Sequence, residues 1–268
     1  MVQVGKAFTT LRAVRTWSKR RWLPLSMMAV GVLLLSAVGG YYLYAAMARS
    51  QLGEMEYVVP PDTIAQPDSF ASLYPGSLLP SLSWNDPRWS KVDEGSQTSL
   101  FEGFTSLDGN GLSEVADGLT APTRIEIPAI GLASIVKELE IVNYGDDKGW
   151  ETPKDVVGHI PVTPHPGEAG NGYYFGHLQS PVKGEGSIFR DLPRISDLLR
   201  QGQDVYVVLY NEEGTAYLYQ VSGVTVIPQE QFSLLVSSEA TITLVACVPE
   251  YVYDHRLLVT AKLVGVKG

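Results

Sequence analysis

Cysteine is almost absent from this chain of 268 residues; there is one, Cys247. A single thiol excludes an internal disulfide framework and any multi-cysteine zinc or iron–sulfur centre, and leaves the thiol itself two readings, an inert buried group or a reactive one. Histidine is scarce too, and the four present, His159, His165, His177 and His255, lack the local spacing of a metal site, so neither a metal nor a cofactor is expected. There is no GxGxxG, no phosphate-binding P-loop, no HExxH, no GxSxG and no internal repeat. With 26 Gly and 17 Pro the chain is not collagenous, and 45% hydrophobic residues are too many for wholesale disorder.

Acid is missing from the first 49 residues, whose seven charges are all basic: Lys6, Arg12, Arg15, Lys19, Arg20, Arg21 and Arg49. The rest of the chain holds the other 13 basic groups and all 29 acidic ones, so a formal net charge of -9 divides into +7 and -16. An acidic body lacks the basic surface that phosphate contacts need, which argues against nucleic acid as a partner. Between Arg21 and Arg49 lie 27 uncharged residues, 22–48. A helix crosses the hydrocarbon core with about 20 apolar residues. Trp22 at one end and Tyr41, Tyr42 and Tyr44 near the other stand where interfacial aromatics belong, and Lys19, Arg20 and Arg21 favour the cytoplasmic side. The expectation is a basic cytoplasmic segment (1–21), a single-pass signal anchor (22–48) and an extracellular body. The competing reading is a cleaved signal peptide, whose apolar region normally runs about 7 to 15 residues.

Residues 49–120 scatter prolines among Ser, Gly and Asp and read as an extracellular stalk. Its aromatic islands at 81–89 and 99–104 leave open that part of it packs on its own domain. Residues 121–268 have the texture of an all-β domain. Strand-like runs lie at 123–127, 204–210, 216–226, 241–247 and 257–264, and one short helix is expected over 189–200. The implied architecture is a closed or nearly closed barrel or sandwich.

Cys247 ends a strand-like run just before Val248-Pro249, and a strand-end side chain is held rigidly yet opens onto loops. A catalytic thiol needs a base or cation beside it, because the thiolate is the nucleophile and the free group has a pKa of about 8.5. His177 closes another strand-like run, with Gly176 beside it. Arg256 opens the last strand, nine residues after Cys247, where an antiparallel return brings it near the thiol. Residue types and spacing leave open a core thiol for Cys247 and a salt bridge to Asp254 or Glu250 for Arg256.

Leu244-Val-Ala-Cys247 followed by Arg256 resembles the TLxTC and downstream Arg signature of the sortases, bacterial cell-surface cysteine transpeptidases. Tyr174-Phe-Gly-His-Leu178 is similar to their histidine strand, and Arg124-Ile-Glu-Ile-Pro128 with Ile130-Gly131 to their first strand and turn. Pro166 to Asn171 and Gly186 to Leu192 resemble the segments before and after the histidine. The resemblance implies an eight-stranded sortase β-barrel with one or two short helices over 121–268. It implies Cys247 as nucleophile, His177 as general acid/base and Arg256 as oxyanion or substrate stabiliser, with Leu244 and Ala246 near the substrate. One departure is Ala246, where the family has Thr, which bears on fine positioning and subclass.

The activity so implied is cleavage of an LPxTG-like sorting motif near the C-terminus of secreted proteins. A thioester acyl-enzyme forms and passes to an amine acceptor, a peptidoglycan precursor or a pilin lysine. The alternatives are a hydrolytic cysteine peptidase using the same residues and a non-catalytic, membrane-tethered β-barrel binding module. Asp86-Pro87-Arg88-Trp89 resembles the Asp-Pro-aromatic lid motif of pilus-building sortases, with Arg88 inserted; the alternative is a surface turn with a packed Trp. No second apolar segment follows the last strand before Gly268, which leans toward surface-protein anchoring.

Overall fold

The computed structural model describes residues 7–60, 100–106, 120–144, 147–151, 153–180 and 184–268. The chain divides into two compact units, residues 1–50 and 51–268. In the first, the described residues form one continuous helix, α1 (Ala7–Ser50), so the basic residues from Arg12 to Arg21 and the apolar stretch share a single element. The segment Pro24–Met55, 32 residues, is long and apolar enough to cross a membrane.

The second unit is built on eight strands: β1 (Pro122–Ile127), β2 (Leu132–Glu138), β3 (Val157–His159), β4 (Gly170–Phe175), β5 (Tyr206–Asn211), β6 (Ala216–Pro228), β7 (Ala240–Val248) and β8 (His255–Lys267). They pair in the ring β1-β2-β3-β4-β7-β8-β6-β5-β1, and the β6–β8 ladder closes it. Closure removes the exposed edges of an open sheet. All pairs are antiparallel except β2 with β3 and β4 with β7. The β6–β8 ladder carries register shifts between Leu218 and Tyr219 and between Val221 and Gly223, and such bulges let the two 13-residue strands bend around the barrel.

Alternation sets the two faces. Ile242, Leu244, Ala246 and Val248 of β7 and Leu257, Val259 and Ala261 of β8 point into the barrel and join its main core, while the residues between them face outward. Val245, on the outer face, packs instead with Leu139, Ile160 and Tyr173.

The expected strands are all present, each extended or shifted by a few residues at its ends. Sequence runs did not single out β2, which has little apolar alternation and ends in the charged pair Lys137-Glu138, or β3, with only three residues. The expected helix over 189–200 is shorter. Residues 188–193 form turns and α2 spans Arg194–Arg200, because Pro193 has no N–H to donate and disfavours the helical conformation in the residue before it.

The ends of the stretch between α1 and the barrel add short strands to it. Tyr57–Val58 pairs with Val224 and Gly223, where β6 runs on past the end of β5. Thr105–Ser106 pairs with Gly265 and Val266, where β8 runs on past β7. Leu52 and Val59 join the main core, and Arg200 donates to the carbonyls of Glu54 and Glu56. Leu100, Phe101 and Phe104 pack on an outer cluster with Tyr206, Val208 and Leu218. Asp86, Pro87 and Trp89, the lid-like motif, lie outside the described residues.

Candidate functional site

The parallel ladder between β4 and β7 ends at the pair Phe175 and Val245, and Gly176 N–H still donates to Val245 O at 3.2 Å. Two residues further along each chain stand His177 and Cys247. Parallel pairing makes both chains leave the sheet at the same end of the barrel, and alternation along β7 sends the Cys247 side chain to the outer face. The antiparallel β7–β8 ladder then sets Cys247 directly opposite Arg256. Residues opposite each other in such a pair project from the same face. The register therefore places His177, 70 residues before Cys247, at the same end of the barrel as the pair Cys247 and Arg256.

Cys247 is the described chain's free thiol and is partly buried. Burial pushes its pKa up, because the thiolate is poorly solvated there, and the Arg256 charge opposes the shift. The Arg256 guanidinium is held by its own hairpin: it donates to Tyr253 O at 3.0 Å, to His255 O at 3.1 Å and to Gln229 Oε1 at 3.3 Å. Asp254, one of the two carboxylates that the sequence offered to Arg256, pairs with His255 Nδ1 at 2.7 Å. The connecting loop from Pro249 to Asp254 is tight, with a cis Val248-Pro249 bond and positive φ at Tyr251 and Tyr253.

His177 is fixed from behind. Its carbonyl accepts from Phe189 N at 2.9 Å, and Gly176 lies so close to the Phe189 ring that a Cβ there would come within 2.6 Å of it. Its Nε2 lies 3.7 Å from Glu185 Oε2, a carboxylate that also accepts from Ser180 Oγ at 2.8 Å. Glu185 was not singled out in the sequence; it lies just before the segment from Gly186 to Leu192, and only the fold shows that it reaches back to the imidazole. Tyr253 Oη donates to Gln179 O at 2.9 Å, linking the loop after His177 to the hairpin between Cys247 and Arg256. Beside these loops lies an open cleft of about 320 Å³ lined by Asp155, Gln179, Ser180, Gly184, Gly186 and Ser187.

Leu244 and Ala246 are not part of this surface. They are 0% and 1% exposed and fill the barrel interior, on the face of β7 opposite to Cys247. The expectation that they lie near the substrate is corrected accordingly: the TLxTC-like run alternates, so its members cannot all face one way.

A second convergence was invisible in the spacing of the histidines. Glu138 at the end of β2, His159 in β3 and His165 in the loop after it each bring one donor atom within 4.8 Å of the others. Burial pushes the pKa of His159 down, partly offset by the Glu138 carboxylate.

The chain matches the family model described as "Sortase domain" over residues 125–264, just over half of its length. Among solved structures it is similar to Streptococcus agalactiae sortase C1 in complex with MTSET, at 26% identity with a TM-score of 0.39, covering 53% of this chain and 66% of that one. It is similar also to Listeria monocytogenes sortase A, at 16% identity and a TM-score of 0.41, covering 56% and 90% of the respective chains. A lid mutant of Corynebacterium diphtheriae sortase A matches at 21% identity and a TM-score of 0.39, covering 58% and 80%. No curated protein matches the chain.

Proposed function

The chain belongs to the sortase family, and from that premise we propose that it is a membrane-anchored cysteine transpeptidase whose chemistry is carried by Cys247, His177 and Arg256. The observation that carries this reading is the outward-facing cross-strand pair of Cys247 and Arg256, at the end of β7 beside which β4 delivers His177.

In the proposed cycle the Cys247 thiolate attacks the carbonyl carbon of the scissile peptide bond in a sorting motif. The negative charge developing on the carbonyl oxygen is met by the Arg256 guanidinium, a fixed cation and donor. The C–N bond breaks, protonated His177 gives its proton to the departing amine, and a thioester remains on Cys247. An acceptor amine then loses a proton to His177 as it attacks the thioester, forming the new amide and releasing the Cys247 thiolate, which restores the starting thiolate and protonated His177. Because burial raises the thiol pKa, the reactive thiolate is a minority at neutral pH, and the Arg256 charge supports it.

The substrates in this reading are secreted proteins with an LPxTG-like motif, and the acceptor is a peptidoglycan precursor or a pilin lysine. The apolar helix would hold the barrel on the outer face of the cell membrane with the basic N-terminus inside, where tethering raises the effective concentration of substrates emerging nearby. Residues 86–89 would be a lid motif only if they reach this site.

The test is mass spectrometry of the full chain incubated with a panel of LPxTG-like peptides, with and without a nucleophilic amine. A peptide-sized adduct on Cys247 that converts to an amide product with added amine is expected, and Cys247→Ala and His177→Ala should each abolish turnover. Products unchanged by the amine would identify a hydrolase, and undiminished turnover in Cys247→Ala would end the reading.

A further inference from the structure

Glu138, His159 and His165 form a site outside the thiol chemistry. The His159 ring is completely buried and its two nitrogens face different groups. Nε2 lies 3.2 Å from Pro164 O and 3.3 Å from Thr163 Oγ1. Both are acceptors toward it: the carbonyl can do nothing else, and the Thr163 hydroxyl spends its hydrogen on Ile160 O at 2.7 Å while accepting from Tyr173 N–H. The ring hydrogen therefore belongs on Nε2, which leaves Nδ1 presenting a lone pair.

That lone pair meets another acceptor. Nδ1 lies 3.0 Å from Glu138 Oε1, and the same carboxylate oxygen is 3.9 Å from His165 Nδ1. His165 Nδ1 is itself a buried atom with no hydrogen-bond partner among the described residues. His159 Nδ1 and the Glu138 carboxylate thus face one another as lone-pair donors with no hydrogen between them in this tautomer, and the unpartnered His165 Nδ1 lies beside them, an arrangement that a cation resolves.

The spacing fits a metal. Tetrahedral zinc holds nitrogen and oxygen ligands at about 2.0 to 2.2 Å, which separates neighbouring ligand atoms by about 3.3 Å. The separations of 3.0 and 3.9 Å bracket that value. A ligating imidazole ordinarily donates its other N–H to a carbonyl or carboxylate, which fixes its tautomer, and the bond from His159 to Pro164 is of that kind. Two imidazoles and a carboxylate suit zinc-class divalent ions rather than calcium or magnesium, whose ligands are oxygens.

We propose that Glu138, His159 and His165 bind a zinc-class divalent cation with a fourth position open to water. The ion would join the end of β2, strand β3 and the loop leading into β4. His159 is the cross-strand partner of Tyr174, three residues before His177, so the bound ion would brace the loop from which the histidine strand starts.

The full chain in detergent, stripped with a chelator, is titrated with zinc by calorimetry and with cobalt by visible absorption. One zinc per chain, the intense visible bands of four-coordinate cobalt and a zinc-induced rise in Tm are expected. His165 is 30% exposed on a loop, so His165→Ala should keep the metal-free Tm. It should bind zinc at least about 100-fold more weakly, at or beyond the loss seen when a group behind the ligands is removed, and show no rise in Tm. Glu138→Gln should weaken binding likewise, and Cys247→Ala should bind zinc as the parent does. Absence of binding at millimolar zinc would overturn the site. Binding that survives both His165→Ala and Glu138→Gln, or that is lost in Cys247→Ala, would place the ion elsewhere and overturn it equally.

Discussion

Cys247 and Arg256 stand directly opposite one another in an antiparallel pair, nine residues apart around a tight loop, with both side chains on the outer face of the barrel. Two opposing effects meet at the sulfur. Burial raises the thiol pKa and the guanidinium lowers it, with burial the larger. The geometry makes this balance measurable, because the hairpin's own carbonyls hold the guanidinium whether or not the thiol is charged.

The rate of alkylation of Cys247 by iodoacetamide should climb with pH through a midpoint above the ordinary thiol value, since only the thiolate reacts. Arg256→Gln removes the opposing charge, so the midpoint should move further up. Turnover should fall by at least about 100-fold, the scale of a lost oxyanion donor. A midpoint that stays put or moves down in this variant would separate Arg256 from the thiol.

Gly176→Ala should impair His177 without removing any candidate catalytic group. The added Cβ would meet the Phe189 ring at 2.6 Å and Ile188 at 2.8 Å, so the chain around His177 must shift. Overpacking of this kind costs about 1 to 3 kcal/mol. A lowered Tm together with a fall in kcat larger than any change in KM is the expected pattern, read by thermal melting and steady-state kinetics.

Leu244→Ala tests the inward face of β7. Leu244 is fully buried in the main core, and truncating such a side chain costs about 2 to 5 kcal/mol. Denaturant unfolding should show that loss, whereas a residue on the substrate face would change KM with little change in stability.

A chain starting at residue 51 should be more stable than one starting at 121. Leu52 and Val59 are buried in the core, Tyr57–Val58 extends the sheet, and Arg200 holds the carbonyls of Glu54 and Glu56. Two buried aliphatic side chains contribute on the order of 3 kcal/mol or more. Equal unfolding midpoints for the two chains would show that the segment adds nothing.

The sequence by itself determined the local features. The uncharged stretch between Arg21 and Arg49 specifies a long apolar helix, and the β-branched runs specify strands, since periodicity and residue type act over a few neighbours. It also marked Cys247, His177 and Arg256 as candidates through strand-end position and family motifs. It could not register β3, three residues long, because so short a strand is made by its neighbours. It placed Leu244 and Ala246 beside the substrate because a motif is read along the chain, whereas a strand turns alternate residues to opposite faces.

Only the tertiary structure decided which residues meet. The parallel pairing of β4 with β7 brings His177 to the end of the barrel where Cys247 stands, across 70 residues of chain, and the return of β2, β3 and the following loop brings Glu138, His159 and His165 together. The reason is that register between distant strands is set by barrel closure and core packing, which couple the whole ring at once, while sequence patterns carry information about each strand singly.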